Sequence, residues 1–502
     1  MNTSLGMMRP RGSLPYPASV RSRSKAAAGR RMVLLFAAFA LLVALGLCLT
    51  TFVLDPLQFY RKASLLPPVF STEERYQNPG LAKNYDYDTI IIGTSMTENF
   101  LPSVVDKALK GKTMKLSMQG SLADEQRKIA ELALKTGKVK RVLWGLDYFA
   151  FKTQDAALAQ DFPDYLYDDN WLNDYRYWFN VSVYEMMLKD IVRLRTSGAN
   201  RDLEHLYNWN ADGKFGAVHV VNAYRIASRQ EQYFGLNEEP LEVIQRSFET
   251  NVLSLAKRYP EVEFIYFYPP YSILRQEVWR RTNEARYRNQ LEMSVWMFEQ
   301  LNKLPNTKVY NFQAEADWTF DLDLYKDLSH HTQDVNTWIA ESIGRDDPNY
   351  RMTADNAASF GRRLEEQLDS LVVTADNRAM RAEVELREGD RTRKLKFASL
   401  SAPSAEELLV PAKEAAAAIG GEAVWSAADK TLTLRRDGRE LVLRSGEATA
   451  WASDGELALV AAPQLRKGTW MVPLLSILGP LGVEAERSHP DRHTLRMVVK
   501  LP

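Results

Sequence analysis

The sequence predicts an α/β protein: a three-layer domain built on a parallel sheet, preceded by one apolar helix and followed by a small α+β unit. Three observations carry this expectation. Short apolar runs alternate with helical segments, one long uncharged stretch lies near the N-terminus, and the C-terminal region repeats a pattern of its own. Strands covered on both faces read as continuous apolar runs rather than alternating ones, which is the pattern seen here.

Taken in order, residues 1–31 hold seven basic residues and no acidic one, which predicts a basic cytoplasmic tail. The chain as a whole has zero net charge, so the remainder is acidic and offers no electrostatic reason to expect nucleic acid as a partner. Met32–Leu54 is 23 residues without a charge. At ~1.5 Å per residue it spans a ~30 Å hydrocarbon core, and no cleavage-site pattern follows it, so an uncleaved anchor in the lipid bilayer is expected. The Lys/Arg asymmetry then predicts a cell-membrane protein with its N-terminus cytoplasmic and its main domains extracellular. The one cysteine, Cys48, lies inside that stretch, leaving no cysteine for disulfides or metal sites beyond it.

Residues 55–84 carry Pro56, Pro67, Pro68 and Pro79 and read as a juxtamembrane spacer. The sheet domain is expected over 85–345. Its strands are Thr89–Ile92, Thr113–Met118, Arg141–Asp147, Glu263–Pro270 and Lys308–Phe312, with helices over Phe100–Gly111 and Ser121–Thr136. A long insertion, 150–245, is rich in Tyr and Trp from Tyr165 to Phe179. Three readings of it stand: a helical cap that uses aromatics as its own core, a platform for carbohydrate, or a lid over the sheet. Residues 346–399 read as a helical linker, with a long helix over Tyr350–Val373, and a connecting strand.

In an open parallel sheet, functional groups gather at the carboxyl ends of the strands. Those loops hold Gly93-Thr94-Ser95, Gln119-Gly120 and Asp147, and the loop before the last helix holds Asp327-x-x-His330, with Thr332 as a helix cap. A serine hydroxyl needs a general base, and the base needs an orienting carboxylate. The i, i+3 spacing lets Asp327 and His330 project from one turn. His331 is the adjacent alternative, but the spacing from Asp327 favours His330, while His205 and His219 lie in the insertion and read as structural. Too few His and no Cys are available for a metal centre, and no further glycines follow Gly93 as a dinucleotide fold would need.

This set resembles the SGNH (GDSL-like) hydrolase superfamily, over about residues 85–345. The stretches "IIIGTSMTENF", "GLDYF" and "FYPPYS" look most like its membrane-anchored branch, which includes alginate O-acetylation and teichoic-acid D-alanylation proteins. The resemblance implies Ser95 as nucleophile, His330 as base and Asp327 as the orienting acid. It implies an oxyanion hole from Ser95, Gly120 and the position of Asp147, and no cofactor. Asp147 stands where that superfamily places Asn. Either the carboxylate is turned away or protonated, or the site handles a cationic or hydroxyl-bearing substrate. The implied activity is esterase or O-acyltransferase action on a cell-wall or extracellular polysaccharide. A multi-pass membrane protein that delivers the acyl donor is a further implied partner. The alternative is a non-catalytic, membrane-anchored glycan-binding or assembly protein on a degenerate SGNH fold.

Within residues 400–502, Val410–Lys430 aligns without gaps on Val472–Arg492 at an offset of 62. Each copy reads as a short helix, a glycine stop and a strand hairpin, the first turning at Asp437-Gly438. This resembles the copper amine oxidase N-terminal-like (stalk) domain. The name does not import copper, because His489 and His493 are the only imidazoles there.

Overall fold

The computed structural model describes residues 20–64, 68–152, 162–196, 202–230 and 240–501. Most of the basic tail, 1–19, and the parts of the insertion at 153–161, 197–201 and 231–239 lie outside the described residues. Five strands, β1 (Thr89–Ile92), β2 (Thr113–Lys115), β3 (Arg141–Gly145), β4 (Glu263–Tyr268) and β5 (Thr307–Asn311), form one sheet in the order β2-β1-β3-β4-β5. All its pairings are parallel. The chain leaves β1 for one edge and returns to the other, so the crevice of the sheet lies between the carboxyl ends of β1 and β3.

Ile90 and Ile92 pack into the hydrophobic cluster on one face of the sheet, whereas Ile91 packs into the cluster on the other. Both faces are therefore dry, as the unalternating sequence of β1 requires. Helix α1 (Val20–Leu54) carries the uncharged stretch and runs unbroken, with its apolar side chains largely exposed. It is long and apolar enough to cross a membrane.

The expected spacer over 55–84 is corrected. Helix α2 (Glu74–Asn84) packs into the domain, and its residues Gln77–Ala82 are buried. Pro79 inside a helix frees the carbonyl four residues earlier, and here the Tyr167 hydroxyl donates to that Arg75 carbonyl at 2.7 Å. Arg75 also forks onto Glu125 with two contacts of 2.9 Å, fastening α2 to the sheet domain. Pro79, one of the prolines that suggested a linker, is thus accommodated inside a packed helix.

Helix α3 (Pro102–Leu109) follows β1, and helix α4 (Ala123–Lys135) follows β2. The Trp144 indole of β3, fully buried, donates to Gln126 of α4 at 2.8 Å. The insertion contributes α5 (Tyr175–Trp178) and α6 (Val181–Thr196), then a helix Ala217–Gln230. Its aromatics divide: Phe162, Tyr165, Tyr167 and Tyr177 join the core, whereas Trp171, Tyr175 and Phe179 are exposed.

The long helix expected over Tyr350–Val373 is shorter, Ala357–Asp369. Leu371–Val373 is already a strand, and it pairs with Ala379–Glu388, which pairs in parallel with Thr494–Leu501. The C-terminal sheets therefore recruit chain from the segment expected to be a linker. Inside this region the two half-repeats meet: Val410 and Val472, equivalent by the 62-residue offset, are partners in one antiparallel ladder. The turn at Asp437-Gly438 has both residues at positive φ, 48° and 77°, which joins the two strands as a tight hairpin.

Gly93, between β1 and Ser95, has φ +153°, and a Cβ there would lie 2.6 Å from Cγ2 of Thr97. Gly145 at the end of β3 makes room for the same methyl, since a Cβ on it would lie 2.8 Å away. Gly93→Ala is expected to destabilise the domain by ~1–3 kcal/mol through overpacking and strain, read as a lower thermal midpoint.

Candidate active site

The serine turn is built from its neighbours. Thr94 caps the short 3₁₀ turn Ser95–Thr97 by accepting from the Met96 amide at 3.3 Å. The Thr97 hydroxyl donates to the Thr94 carbonyl at 2.8 Å, and lies 2.7 Å from the Ser117 hydroxyl beyond β2. Ser95 is held nearly buried, at 8% exposure, with its hydroxyl facing a histidine.

Ser95 Oγ lies 2.8 Å from His330 Nε2, and His330 Nδ1 lies 2.8 Å from Asp327 Oδ2. A carboxylate on Nδ1 favours the tautomer with its proton there, which leaves the Nε2 lone pair for the serine hydroxyl. The other Asp327 oxygen accepts from the Ser329 and His330 amides at 2.7 and 2.9 Å. Burial raises the Asp327 carboxyl, but the His330 ring and these two amides outweigh it and bring it down to about 2.

Residues distant in sequence hold this loop in place. Ser272, after β4, donates its hydroxyl to the Leu328 carbonyl at 2.7 Å. Asn336 donates to the Met96 carbonyl at 2.9 Å, and Asn99 to the His331 carbonyl at 3.3 Å. His331 points away from the serine: it is buried, its Nδ1 lies 3.2 Å from the Thr332 carbonyl, and burial lowers it to about 4.

Gly120 has φ +61° and sits in the exposed loop after β2. That loop is tied to the serine turn by the Met118 amide, which donates to the Gly93 carbonyl at 3.0 Å. Asp147 is fully buried and accepts two hydroxyls, from Thr94 at 2.5 Å and from Tyr271. Burial raises its carboxyl, opposed by those hydroxyls and by the His330 ring. Asp147 therefore acts here as an acceptor that fixes Thr94.

Sequence reasoning missed Tyr271, which completes the Asp147 niche, and Trp209. The Trp209 ring meets His330 edge-on at 5.6 Å, its indole N–H donates to the Ser95 carbonyl at 3.4 Å, and Lys326 Nζ sits 3.6 Å from its centroid. The only signal was an aromatic in a polar turn of the insertion, Asn208-Trp209-Asn210, which carries no chemistry of its own. Trp209 and Lys326 also border a polar cleft of about 1170 Å³ whose walls include Glu74, Glu98 and Tyr207. Burial first, and then the charge of Glu74, pushes the Glu98 carboxyl well up, and burial raises Glu74 as well. Beneath them, Lys115 is buried and donates to the Glu98 and Phe100 carbonyls at 2.6 and 3.0 Å. Burial lowers Lys115 to about 7, against the opposing charge of Glu98. Among the described residues no group of three His, Cys, Asp or Glu side chains is placed to hold a metal ion.

Residues 390–494 match the family described as copper amine oxidase N-terminal domain, so the C-terminal region is copper amine oxidase N-terminal-like. His489 Nδ1 there lies 3.1 Å from the Thr494 carbonyl, and His493 is buried. No curated protein matches the chain. A solved Streptococcus pneumonia structure, described as that of a platelet activating factor, matches with 12% identity and a TM-score of 0.28, covering 55% of this chain and 90% of its own.

Two outcomes follow from the buried groups. Asp147→Asn offers one acceptor oxygen where two hydroxyls need one each, so it is expected to cost ~1–3 kcal/mol in a melting experiment and to slow any reaction at Ser95. For Lys115, the unfolded chain holds a proton up to its ordinary value of 10.5 while the folded chain releases it near 7. Stability should thus rise with pH across that window and be lost as pH falls through about 7. Lys115→Met should flatten this rise when thermal midpoints of the two proteins are compared at each pH.

Proposed function

We propose that this chain is a cell-surface serine esterase or O-acyltransferase of the SGNH type, acting on O-acyl groups of a cell-wall or extracellular polysaccharide. The observation that carries this reading is the continuous chain Ser95–His330–Asp327, with both contacts at 2.8 Å. Ser95 Oγ would attack the acyl carbonyl carbon while His330 Nε2 takes its proton. Asp327, held ionised, stabilises the imidazolium that forms. The Ser95 and Gly120 amides would donate to the oxyanion, a contribution of ~2.7–4 kcal/mol per donor. Collapse expels the donor alcohol, which takes the proton from His330, and leaves an ester on Ser95. A glycan hydroxyl, or water in the hydrolytic case, then attacks that ester as His330 removes its proton, and the acyl product leaves with Ser95 restored.

The cleft beside Trp209 suits a polyhydroxylated acceptor: aromatic rings offer apolar faces to a sugar, and carboxyls accept its hydroxyls. The anchor would place this chemistry at the outer membrane surface, where a multi-pass protein could deliver the acyl donor. Transfer is preferred to hydrolysis by analogy with anchored SGNH proteins. One observation favours the second reading, a non-catalytic glycan-binding or assembly protein: Asp147 is an acceptor-only carboxylate where an amide donor is expected.

The test is labelling of the detergent-solubilised full chain by a fluorophosphonate probe and turnover of p-nitrophenyl acetate. Ser95→Ala should abolish labelling, and His330→Ala should slow it by ~10²–10⁴-fold. Unlabelled wild type, or equal labelling of Ser95→Ala, overturns the catalytic reading. Cell-wall binding that persists in Ser95→Ala without any acyl turnover supports the second.

A further inference from the structure

The end of α1 does not emerge freely from the domain. Asp55, just beyond it, is buried and accepts from the amides of Phe59, Tyr60 and Arg61 at 2.9, 2.8 and 3.0 Å, and from the Tyr177 hydroxyl of α5 at 2.9 Å. The Arg61 guanidinium donates to the Phe52 and Val53 carbonyls, capping the helix at 2.5 and 2.9 Å. Thr51 is buried, and its hydroxyl lies 2.6 Å from that of Tyr184 on α6. The Tyr184 hydroxyl also donates to the Leu47 carbonyl at 3.1 Å. The insertion therefore clasps α1 within its uncharged stretch. A bilayer core takes about 20 helical residues. Counted from Met32 these end at Thr51, the residue that the insertion grips.

At this same level the insertion shows apolar side chains to its surroundings. Trp171 is 69% exposed, Leu172 67%, Val181 70%, and Leu188 and Val192 59% each. On α6 the i, i+7 and i+11 spacing of Val181, Leu188 and Val192 places them on one stripe with Tyr184, the residue that reaches α1. The opposite stripe is spent on the domain: Val183 is in the core, and Met186 Sδ lies 3.2 Å from the Ser71 hydroxyl. Water would make the outer stripe costly, whereas a headgroup boundary accepts apolar groups together with Trp and Tyr.

We propose that α6 and the Trp171–Phe179 segment form a second membrane contact, seated in the outer interface of the bilayer that holds α1. The proposal rests on reading α1 as an anchor, and is independent of any chemistry at Ser95. The occupant is lipid because Tyr184, on the same stripe, contacts α1 at Leu47 and Thr51, at the depth where that helix would leave the hydrocarbon. The consequence is a fixed orientation: the sheet domain is held against the membrane at two places rather than swinging on one helix.

The test uses the full chain in vesicles of phosphatidylcholine with some phosphatidylglycerol. Cys48→Ala removes the only cysteine. Single Leu172→Cys and Leu188→Cys variants then carry an environment-sensitive fluorophore, with Leu41→Cys as the anchor control and Glu447→Cys as the aqueous control. Both exposed positions should be quenched by nitroxide-bearing lipid, and quenched by iodide several-fold less than the label at Glu447. If Leu41 reports lipid while Leu172 and Leu188 behave like Glu447, the second contact is overturned and the face is left to a protein partner. If Leu41 also reports water, the anchor reading itself fails. Thermal midpoints matching the parent protein show that a negative result is not a folding defect.

Discussion

A parallel sheet sends the carboxyl ends of all its strands to one edge, and the arrangement around Ser95 depends on that constraint. The serine turn leaves β1, the Gly120 loop leaves β2, Asp147 leaves β3, and Tyr271 with Ser272 leaves β4. No two of these loops are close in sequence. The sheet order places the ends of β1 and β3 next to each other, and that adjacency is what lets Asp147 take the Thr94 hydroxyl. The Asp327–His330 loop is then brought over the same edge by Ser272 from one side and by Asn336 and Asn99 from the other.

Several buried polar groups are satisfied by partners from other parts of the chain. Pro79 frees a helix carbonyl that Tyr167 satisfies, and Asp55 gathers three amides and a phenol at the root of α1. Glu407 does the same in the C-terminal region, accepting from the Leu475 and Ser476 amides at 3.0 and 3.2 Å to cap a short helix. In each case the demanding residue is visible in the sequence, but at least one residue that answers it is more than 60 positions away.

Much of the fold was legible because its signals are local. Three consecutive isoleucines before Gly93 mark a strand buried on both faces, and an uncharged 23-residue stretch marks one long helix. The i, i+3 spacing of Asp327 and His330 also survives unchanged, since one turn brings both side chains together. Residues 55–84 read as a spacer because of their prolines, and 346–399 as a helical linker because of one long helical pattern; both segments donate elements to neighbouring cores, through contacts that no short window contains. Trp209 and Tyr271 were missed for the same reason.

By itself, the sequence determined which five segments supply the parallel sheet, which stretch is apolar enough to cross a membrane, which residues repeat at the C-terminus, and that one serine and one Asp-x-x-His stand at loop positions. Periodicity, charge and composition act over a few residues, so they can be read without coordinates. Only the tertiary structure decided that Ser95 and His330 are within hydrogen-bond reach, that Asp147 faces two hydroxyls, and that the insertion grips α1 at Thr51. Those are facts of chain crossing: parallel strands cannot pair without long connections, so their neighbours in space are strangers in sequence.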